Sequence, residues 1–423
     1  MVDVNIQTTI GPYKQEPVCT RPLATDEQLD TVIAEAVKAQ KSWKKVPIEQ
    51  RVEIAEKWVS EIEKQADLLA EDLSIQMGRA ITPWNYPHLC TVNTVVPALL
   101  AGNAVIIKPA PQTPVPAERV LEAFTEAGLP PNVLQVVHLS QESTLKGLVS
   151  DPRVDYVVFT GSVAGGRAVD EAAATGPGFK GVGLELGGKD PAYVRPDADL
   201  KYTVENLVDG AFFNSGQSCC GIERIYVHSA VYDEFVKQFV ALTKEYKLGD
   251  PMDPSTTLGP VVSLASAKRI RAQIADALKK GAKALVSEAD FPTAKEGTTL
   301  VGPTVLINVD HSMDIMVEET FGPAIGIMKV DSDQEALALM NDSAYGLTAS
   351  VWTNGADPAS TQVFHTFAED LETGTVYMNR ADALDPALPW AGVKDSGRGL
   401  SLSAMGYDHL TRAKSVMMRV RTD

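Results

Sequence analysis

Between Ala104 and Phe159 the chain alternates short apolar runs with amphipathic ones, and this alternation leaves it few folds to choose from. Ala104–Lys108 reads as a buried strand, Pro116–Glu126 as a helix stopped by Gly128, and Val133–Val137 as a second strand. A helix near Glu142–Val149 and a third strand, Val154–Phe159, follow. The turn Thr160–Ser162 then opens a helix near Val163. Strand, helix, strand in this order gives parallel βαβ units, with a ligand crevice at the carboxyl ends of the strands. The rhythm resumes after Lys189, with helices near Leu200–Phe213, Val231–Tyr246 and Ala265–Lys280. Strands at Glu223–His228, Ala324–Lys329, Thr348–Trp352 and Thr375–Met378 alternate with them. A second α/β domain therefore begins near Gly187, as expected when 423 residues exceed what one hydrophobic core serves.

The first hundred residues look helical. Thr25 and Gln28 form a capping box ahead of Leu29, Val32, Ile33, Ala36 and Val37, which share one helical face. A second helical run follows Pro47, and a third reaches about Gln76 before Gly78 stops it. The net charge of −17 argues against a nucleic-acid partner, since phosphate binding needs clustered Lys and Arg. Cys19, Cys90, Cys219 and Cys220 show no C-x-x-C spacing and the six histidines are scattered, so neither a disulfide framework nor a metal site is indicated. No apolar run reaches membrane length, no leader pattern opens the chain, and a cytoplasmic location is the default expectation.

Chemistry concentrates in a few short stretches. Asn214-Ser215-Gly216-Gln217-Ser218-Cys219-Cys220 joins a helix to a strand, where a cysteine can face a cleft with its own N–H available to an oxyanion. A lone cysteine is more often a buried structural residue, so its neighbours decide the reading. Glu185-Leu186-Gly187-Gly188-Lys189 ends a strand with a carboxylate able to take a proton from water, and its glycines permit close approach. The run Gly181–Gly187 imitates a dinucleotide fingerprint, but its third glycine is misplaced and no helix opens from it. Phe159-Thr160-Gly161-Ser162 suits a phosphate or ribose better, because a strand ends there and a helix begins with free N–H groups. Asn85, in Pro83-Trp84-Asn85-Tyr86-Pro87, carries an amide able to donate to an oxyanion, and Lys108 ends a strand where a ribose or phosphate can be held.

In chain order, Pro-Trp-Asn, strand-Lys-Pro, Phe-Thr-Gly-Ser, Glu-Leu-Gly-Gly-Lys, Gly-Gln-x-Cys and Glu-Glu-x-Phe-Gly-Pro together resemble the NAD(P)-dependent aldehyde dehydrogenase family. The resemblance runs from Thr82 to the C-terminus. It implies an α/β, aldehyde-dehydrogenase-like fold: two three-layer α/β domains with parallel-rich sheets and oligomerisation strands partly missing. The implied division is a Rossmann-like cofactor domain at 1–186, a catalytic domain at 187–388, and a segment at 389–423 that returns to the cofactor domain. The implied reaction is oxidation of an aldehyde to a carboxylic acid through a Cys219 thioester, with Glu185 as general base and Asn85 in the oxyanion hole. Thr82, Trp84, Lys108, Gly161, Ser162, Glu319 and Phe321 match cofactor contacts. Tyr86, Leu89, Cys90, Asn93, Phe213, Leu384 and Trp390 match the substrate tunnel. Members form homodimers or homotetramers.

Three departures qualify the match. Pro111 stands where many members carry an acidic residue that binds the adenine ribose hydroxyls, so NAD is the expected cofactor with NADP possible. Arg380 beside Asn379 makes an acidic semialdehyde conceivable, although a surface arginine reads equally well. Gln76-Met77-Gly78-Arg79 and Ile81-Thr82-Pro83-Trp84 match points that the family separates by a helix and several strands, roughly fifty to sixty residues. Here only Ala80 lies between them. A catalytically inactive truncated isoform acting as a binding protein is the alternative from another class. An enzyme passing the thioester to phosphate or coenzyme A is a second, and Glu185 favours water over either acceptor.

Overall fold

The computed structural model describes residues 6–77 and 85–420. The junction at residues 79–81, together with Thr82 and Trp84, lies outside them. The chain opens on a hairpin, β1 (Ile6–Ile10) against β2 (Pro17–Pro22), where a wholly helical start is expected from the sequence. Of β1 only Thr9 is buried, and β2 begins with a proline, so neither strand carries the apolar alternation that would announce it. Three helices follow, α1 (Asp26–Trp43), α2 (Ile48–Lys64) and α3 (Ala66–Met77). α1 starts where the capping box places it, with the Thr25 side chain accepting from the Gln28 N–H and the Gln28 side chain accepting from the Thr25 N–H.

The βαβ alternation then appears. α4 (Pro87–Leu100), β3 (Val105–Ile107), α5 (Val115–Glu126) and β4 (Leu134–Val136) precede a π-helical turn at Ser143–Val149. β5 (Tyr156–Thr160), α6 (Val163–Thr175) and β6 (Gly181–Glu185) complete this half. β3 pairs with β4 and β5 with β6, both parallel, but the two pairs do not form one sheet. Among the described residues no strand joins the second edge of β3 or of β5. Both strands instead line one cavity of about 2230 Å³. Their residues are mostly half-buried, whereas a strand inside a parallel sheet is covered on both faces.

The second half closes properly. After β7 (Asp190–Val194) come α7 (Leu200–Phe212), β8 (Ile222–His228), α8 (Tyr232–Thr243), α9 (Leu264–Lys279) and β9 (Lys283–Val286). Then follow β10 (Thr304–Ile307), α10 (Asp314–Val317), β11 (Ala324–Val330), α11 (Asp333–Asn341), β12 (Tyr345–Gly346), β13 (Thr348–Trp352), α12 (Pro358–Asp370) and β14 (Thr375–Met378). Seven of these strands form a sheet in the order β14-β13-β7-β8-β11-β10-β9, parallel except for β9. Leu207, Phe212, Phe235 and Phe239 pack on one face, and Ile270, Ala277, Ala336 and Phe367 on the other. Each such burial is worth about 1.5–3 kcal/mol for the larger side chains.

β15 (Val393–Lys394) and β16 (Gly397–Arg398) bring the chain back, with β16 antiparallel to β6. α13 (Gly406–Leu410) ends the regular structure. The resemblance implies a C-terminal strand at Ser415–Arg421 left without its usual neighbours; residues 411–420 adopt no regular pairing, and Val416, Met417, Met418 and Val420 stand 77–95% exposed.

Candidate active site

The turn between α7 and β8 is wound so tightly that three successive residues adopt left-handed backbone: Asn214 at φ 52°, Ser215 at φ 58° and Gly216 at φ 68°. A side chain at Gly216 would also strike the Gly322 carbonyl at 2.3 Å, so only glycine fits. The turn is pinned from three sides. Ser215 Oγ donates to the Gly259 carbonyl at 2.8 Å, Gln217 Oε1 accepts from Val262 N–H at 2.7 Å, and Asn214 Nδ2 donates to the carbonyls of Gln217 and Asn85. Rigid winding here costs backbone strain and fixes where the next residues point. Cys219 emerges half-buried and lines the large cavity, while Cys220 is buried and its thiol donates to Asp382 Oδ1 at 2.9 Å. The hydrogen bond its thiol makes to Cys219, burial and the Asp382 charge push the Cys220 thiol well up, so Cys220 stays a thiol.

The Asn214–Asn85 bond ties the Cys219 turn to the residues just before α4. Asn85 is buried at 8% exposure and lines the same cavity as Cys219. Tyr86 beside it donates to Ser218 Oγ at 3.1 Å, and burial raises its phenol well above the usual range. Cys90, one helical turn on, lines the same cavity as Glu185 and Cys219, and burial, then their charges, push its thiol well up.

Glu185 ends β6 with its carboxyl in this cavity, and burial pushes its pKa up while a hydrogen bond from Ser401 pulls it down. The two glycines after it are needed for contact. A side chain at Gly187 would meet Glu319 Oε1 at 2.2 Å, and one at Gly188 would meet the Cys219 carbonyl at 2.4 Å. Three separated motifs therefore converge on one pair of glycines.

The cofactor candidates lie along the same cavity. Lys108, at the end of β3, is half-buried there and burial lowers its pKa. Ser162 caps α6 by accepting from the Gly165 N–H at 3.2 Å, and Gly161 and Gly165 leave no room for side chains beside the Phe159 ring. Glu319 accepts from the Gly188 N–H at 3.1 Å, and burial with the Glu223 charge raises its pKa to about 7. Phe321, held at φ 49°, donates its N–H to Glu223 Oε1 at 2.8 Å.

Tunnel candidates divide. Tyr86 and Cys90 line the large cavity, and Asn93 lines a smaller one of about 310 Å³ beside it. Leu384 and buried Trp390 pack with Cys219 and Cys220. Phe213 is half-buried in the nucleophile turn, Leu89 is 38% exposed, and neither lines either cavity. Arg380 is exposed. Sequence reasoning assigned no role to Asn214, Gln217, Glu223 or Ser401. Gln217 at least carried a signal, as part of the Gly-Gln-x-Cys match.

The aldehyde dehydrogenase family model matches the chain in two stretches, residues 3–80 and 78–416. Aldehyde dehydrogenase 1A1 of Macaca fascicularis is 38% identical over 80% of this chain and 66% of its own length, so the chain spans about two thirds of that relative. An aldehyde dehydrogenase-like protein of Schizosaccharomyces pombe is 31% identical over 96% of this chain and 91% of its own. Its 462 aligned positions outnumber the 423 residues here, so some of its residues have no counterpart in this chain. Among solved structures, an NADP-dependent enzyme of Escherichia coli superposes with a TM-score of 0.90 at 27% identity, over 96% of this chain and 93% of that one. With the Cys219 turn, the Glu185 strand end and the Gly161–Ser162 turn on one cavity, these matches agree: the chain belongs to the aldehyde dehydrogenase family.

Proposed function

We propose that the protein oxidises an aldehyde to a carboxylic acid with NAD(P)+, using Cys219 as nucleophile, Asn85 as oxyanion donor and Glu185 as general base. The observation that carries this reading is a single cavity lined by Cys219, Asn85 and Glu185 that continues past Lys108, Ser162, Glu319 and Phe321. The residues present fit a dinucleotide. The α6 N-terminus presents N–H groups beside Gly161, Lys108 supplies a cation, and Glu319 offers a carboxylate to ribose hydroxyls. The chemistry that the nicotinamide group supplies when bound is hydride acceptance.

The chain's own residues do the rest. Cys219 as thiolate adds to the carbonyl carbon, and the Asn85 amide with the Cys219 N–H stabilises the oxyanion; losing one such donor costs about 10²–10³ in rate. Once hydride has left, the acyl group stays on Cys219 as a thioester. Glu185 takes a proton from water, which attacks the thioester and releases the acid; removing the base costs about 10²–10⁴. Burial supports this role, because a carboxyl with a raised pKa accepts protons nearer neutrality than an exposed one. The division at 1–186, 187–388 and 389–423, a homodimeric or homotetrameric assembly and a cytoplasmic setting belong to the same proposal.

A panel of aldehydes assayed for NADH and NADPH formation tests it. Cys219→Ser should abolish turnover and Glu185→Gln should give one burst of reduced cofactor with acyl-enzyme left behind. Cys220→Ser should keep most activity, since its thiol serves Asp382. Undiminished turnover in Cys219→Ser would end the reading.

A further inference from the structure

Ser401 lies 216 residues from Glu185, yet its Oγ donates to Glu185 Oε1 at 2.5 Å. The serine itself is fixed by backbone. Its N–H donates to the Trp390 carbonyl at 2.9 Å and its carbonyl accepts from the Trp390 N–H at 2.8 Å, an antiparallel bridge. Upstream, Gly397 of β16 pairs with Glu185 itself and the Ser396 carbonyl accepts from Leu186 N–H at 3.0 Å. Trp390 in turn packs with Cys219 and Cys220. The segment that carries Ser401 is thus tied both to the base strand and to the nucleophile turn.

Glu185 stands where two cavities meet. One is the large cavity with Cys219 and Cys90, and the other is the cavity of about 310 Å³ lined by Ser401, Tyr156, Arg398, Tyr407 and His409. A carboxylate able to turn toward either needs something to choose its rotamer. The groups facing it are Cys90 from α4, Tyr156 from β5, Cys219 from the nucleophile turn and Ser401; Arg398 from β16 acts on Tyr156. Of these the Ser401 hydroxyl alone, among the described residues, donates a hydrogen bond to the carboxylate.

We propose that Ser401 is the positioning residue for Glu185: its hydroxyl, fixed by the Trp390 bridge, holds the carboxylate in one rotamer at the boundary of the two cavities and keeps it a hydrogen-bond acceptor. This rests on the reading of Glu185 as the base. Two opposing influences act on that carboxyl, with burial favouring the neutral form and the Ser401 bond favouring the charged one. Deleting the bond leaves burial unopposed, so the base stays protonated to higher pH.

The test compares wild type, Ser401→Ala, Ser401→Thr and Glu185→Gln. In Ser401→Ala the acid limb of the deacylation rate should move up by about one to two pH units, as loss of a hydrogen bond to a charged group implies. The burst of reduced cofactor should keep its amplitude, and Ser401→Thr should restore the wild-type profile. Infrared difference titration of the carboxyl band that Glu185→Gln removes should show the same upward shift, and it needs no turnover. Should the alanine variant fold poorly by circular dichroism, Ser401→Gly keeps the backbone bridge and takes its place. An unmoved acid limb together with an unmoved carboxyl titration would overturn the proposal. Thioester hydrolysis at the wild-type rate in Glu185→Gln would instead remove the base role, and the infrared titration would still decide whether Ser401 controls Glu185.

Discussion

Lys189 Nζ lies 2.7 Å from Glu223 Oε2, and neither side chain reaches solvent to any extent. The same carboxylate accepts the N–H groups of Thr320 and Phe321, at 2.8 Å each, and Lys189 also donates to Thr320 Oγ1 at 3.1 Å. The pair is therefore the mount for the loop that presents Glu319 and Phe321 to the cavity. Burial pushes the Lys189 ammonium down, and the Glu223 charge opposes this. Such a pair adds little net stability when whole and costs much when halved.

Glu223→Ala should therefore destabilise the protein by about 3–5 kcal/mol, because it leaves an unpaired buried ammonium. It should weaken NAD(P) binding as well, through release of the 319–321 loop. Thermal melting and cofactor titration measure the two effects. Ordinary melting with ordinary affinity would show that other contacts hold the loop.

If Glu319 holds the cofactor as proposed, cofactor affinity should depend on pH. Burial and the Glu223 charge push its carboxyl up to about 7, so in the proposed role it would be a charged acceptor for ribose hydroxyls above that value and largely neutral below it. Affinity should rise as pH increases from 6 to 8, and Glu319→Gln should flatten the profile while lowering affinity at pH 8. Isothermal titration across that interval is the measurement. A wild-type profile already flat would mean that Glu319 does not face the ribose.

Pro111 is exposed on the rim of the cavity, with its carbonyl held by Thr9 Oγ1 at 2.7 Å. Pro111→Glu should weaken NADP more than NAD, since a carboxylate repels a 2′-phosphate. Salt should reduce the difference because the site is open to solvent. Equal losses for both cofactors would place position 111 away from the ribose.

Among the described residues no strand covers the second edge of β3 or β5, and this bears on stability. Each buried backbone group left without a partner costs about 1–3 kcal/mol, against a total of roughly 5–15 kcal/mol. A version carrying a family-like segment of roughly fifty to sixty residues at position 80 should melt higher, associate into dimers or tetramers and turn over faster. The present chain should be monomeric or poorly soluble beside it, given the exposed Val416, Met417, Met418 and Val420. Light scattering and the aldehyde assay compare the two. Equal melting and equal assembly would show the segment to be dispensable.

Wherever neighbouring residues set the outcome, the sequence determined it alone. Thr348–Trp352 and Thr375–Met378 form the strands their apolar, β-branched runs announce, and Thr25 caps α1 because its partner Gln28 is three residues away. The motifs carrying Cys219, Glu185 and Asn85 are legible as short stretches, and only their joint resemblance to one family implies that they meet. Tertiary structure decided what depends on distant segments meeting. The β1–β2 hairpin has no apolar face to read, and Leu89 turns outward although its helix lines the site. Lys189 with Glu223, Asn214 with Asn85 and Ser401 with Glu185 are joined across 34, 129 and 216 residues, and no periodicity encodes such pairs. Nor do residues 415–420 form a strand: an apolar run supplies the propensity, but a strand forms only where another segment offers its unpaired N–H and C=O groups.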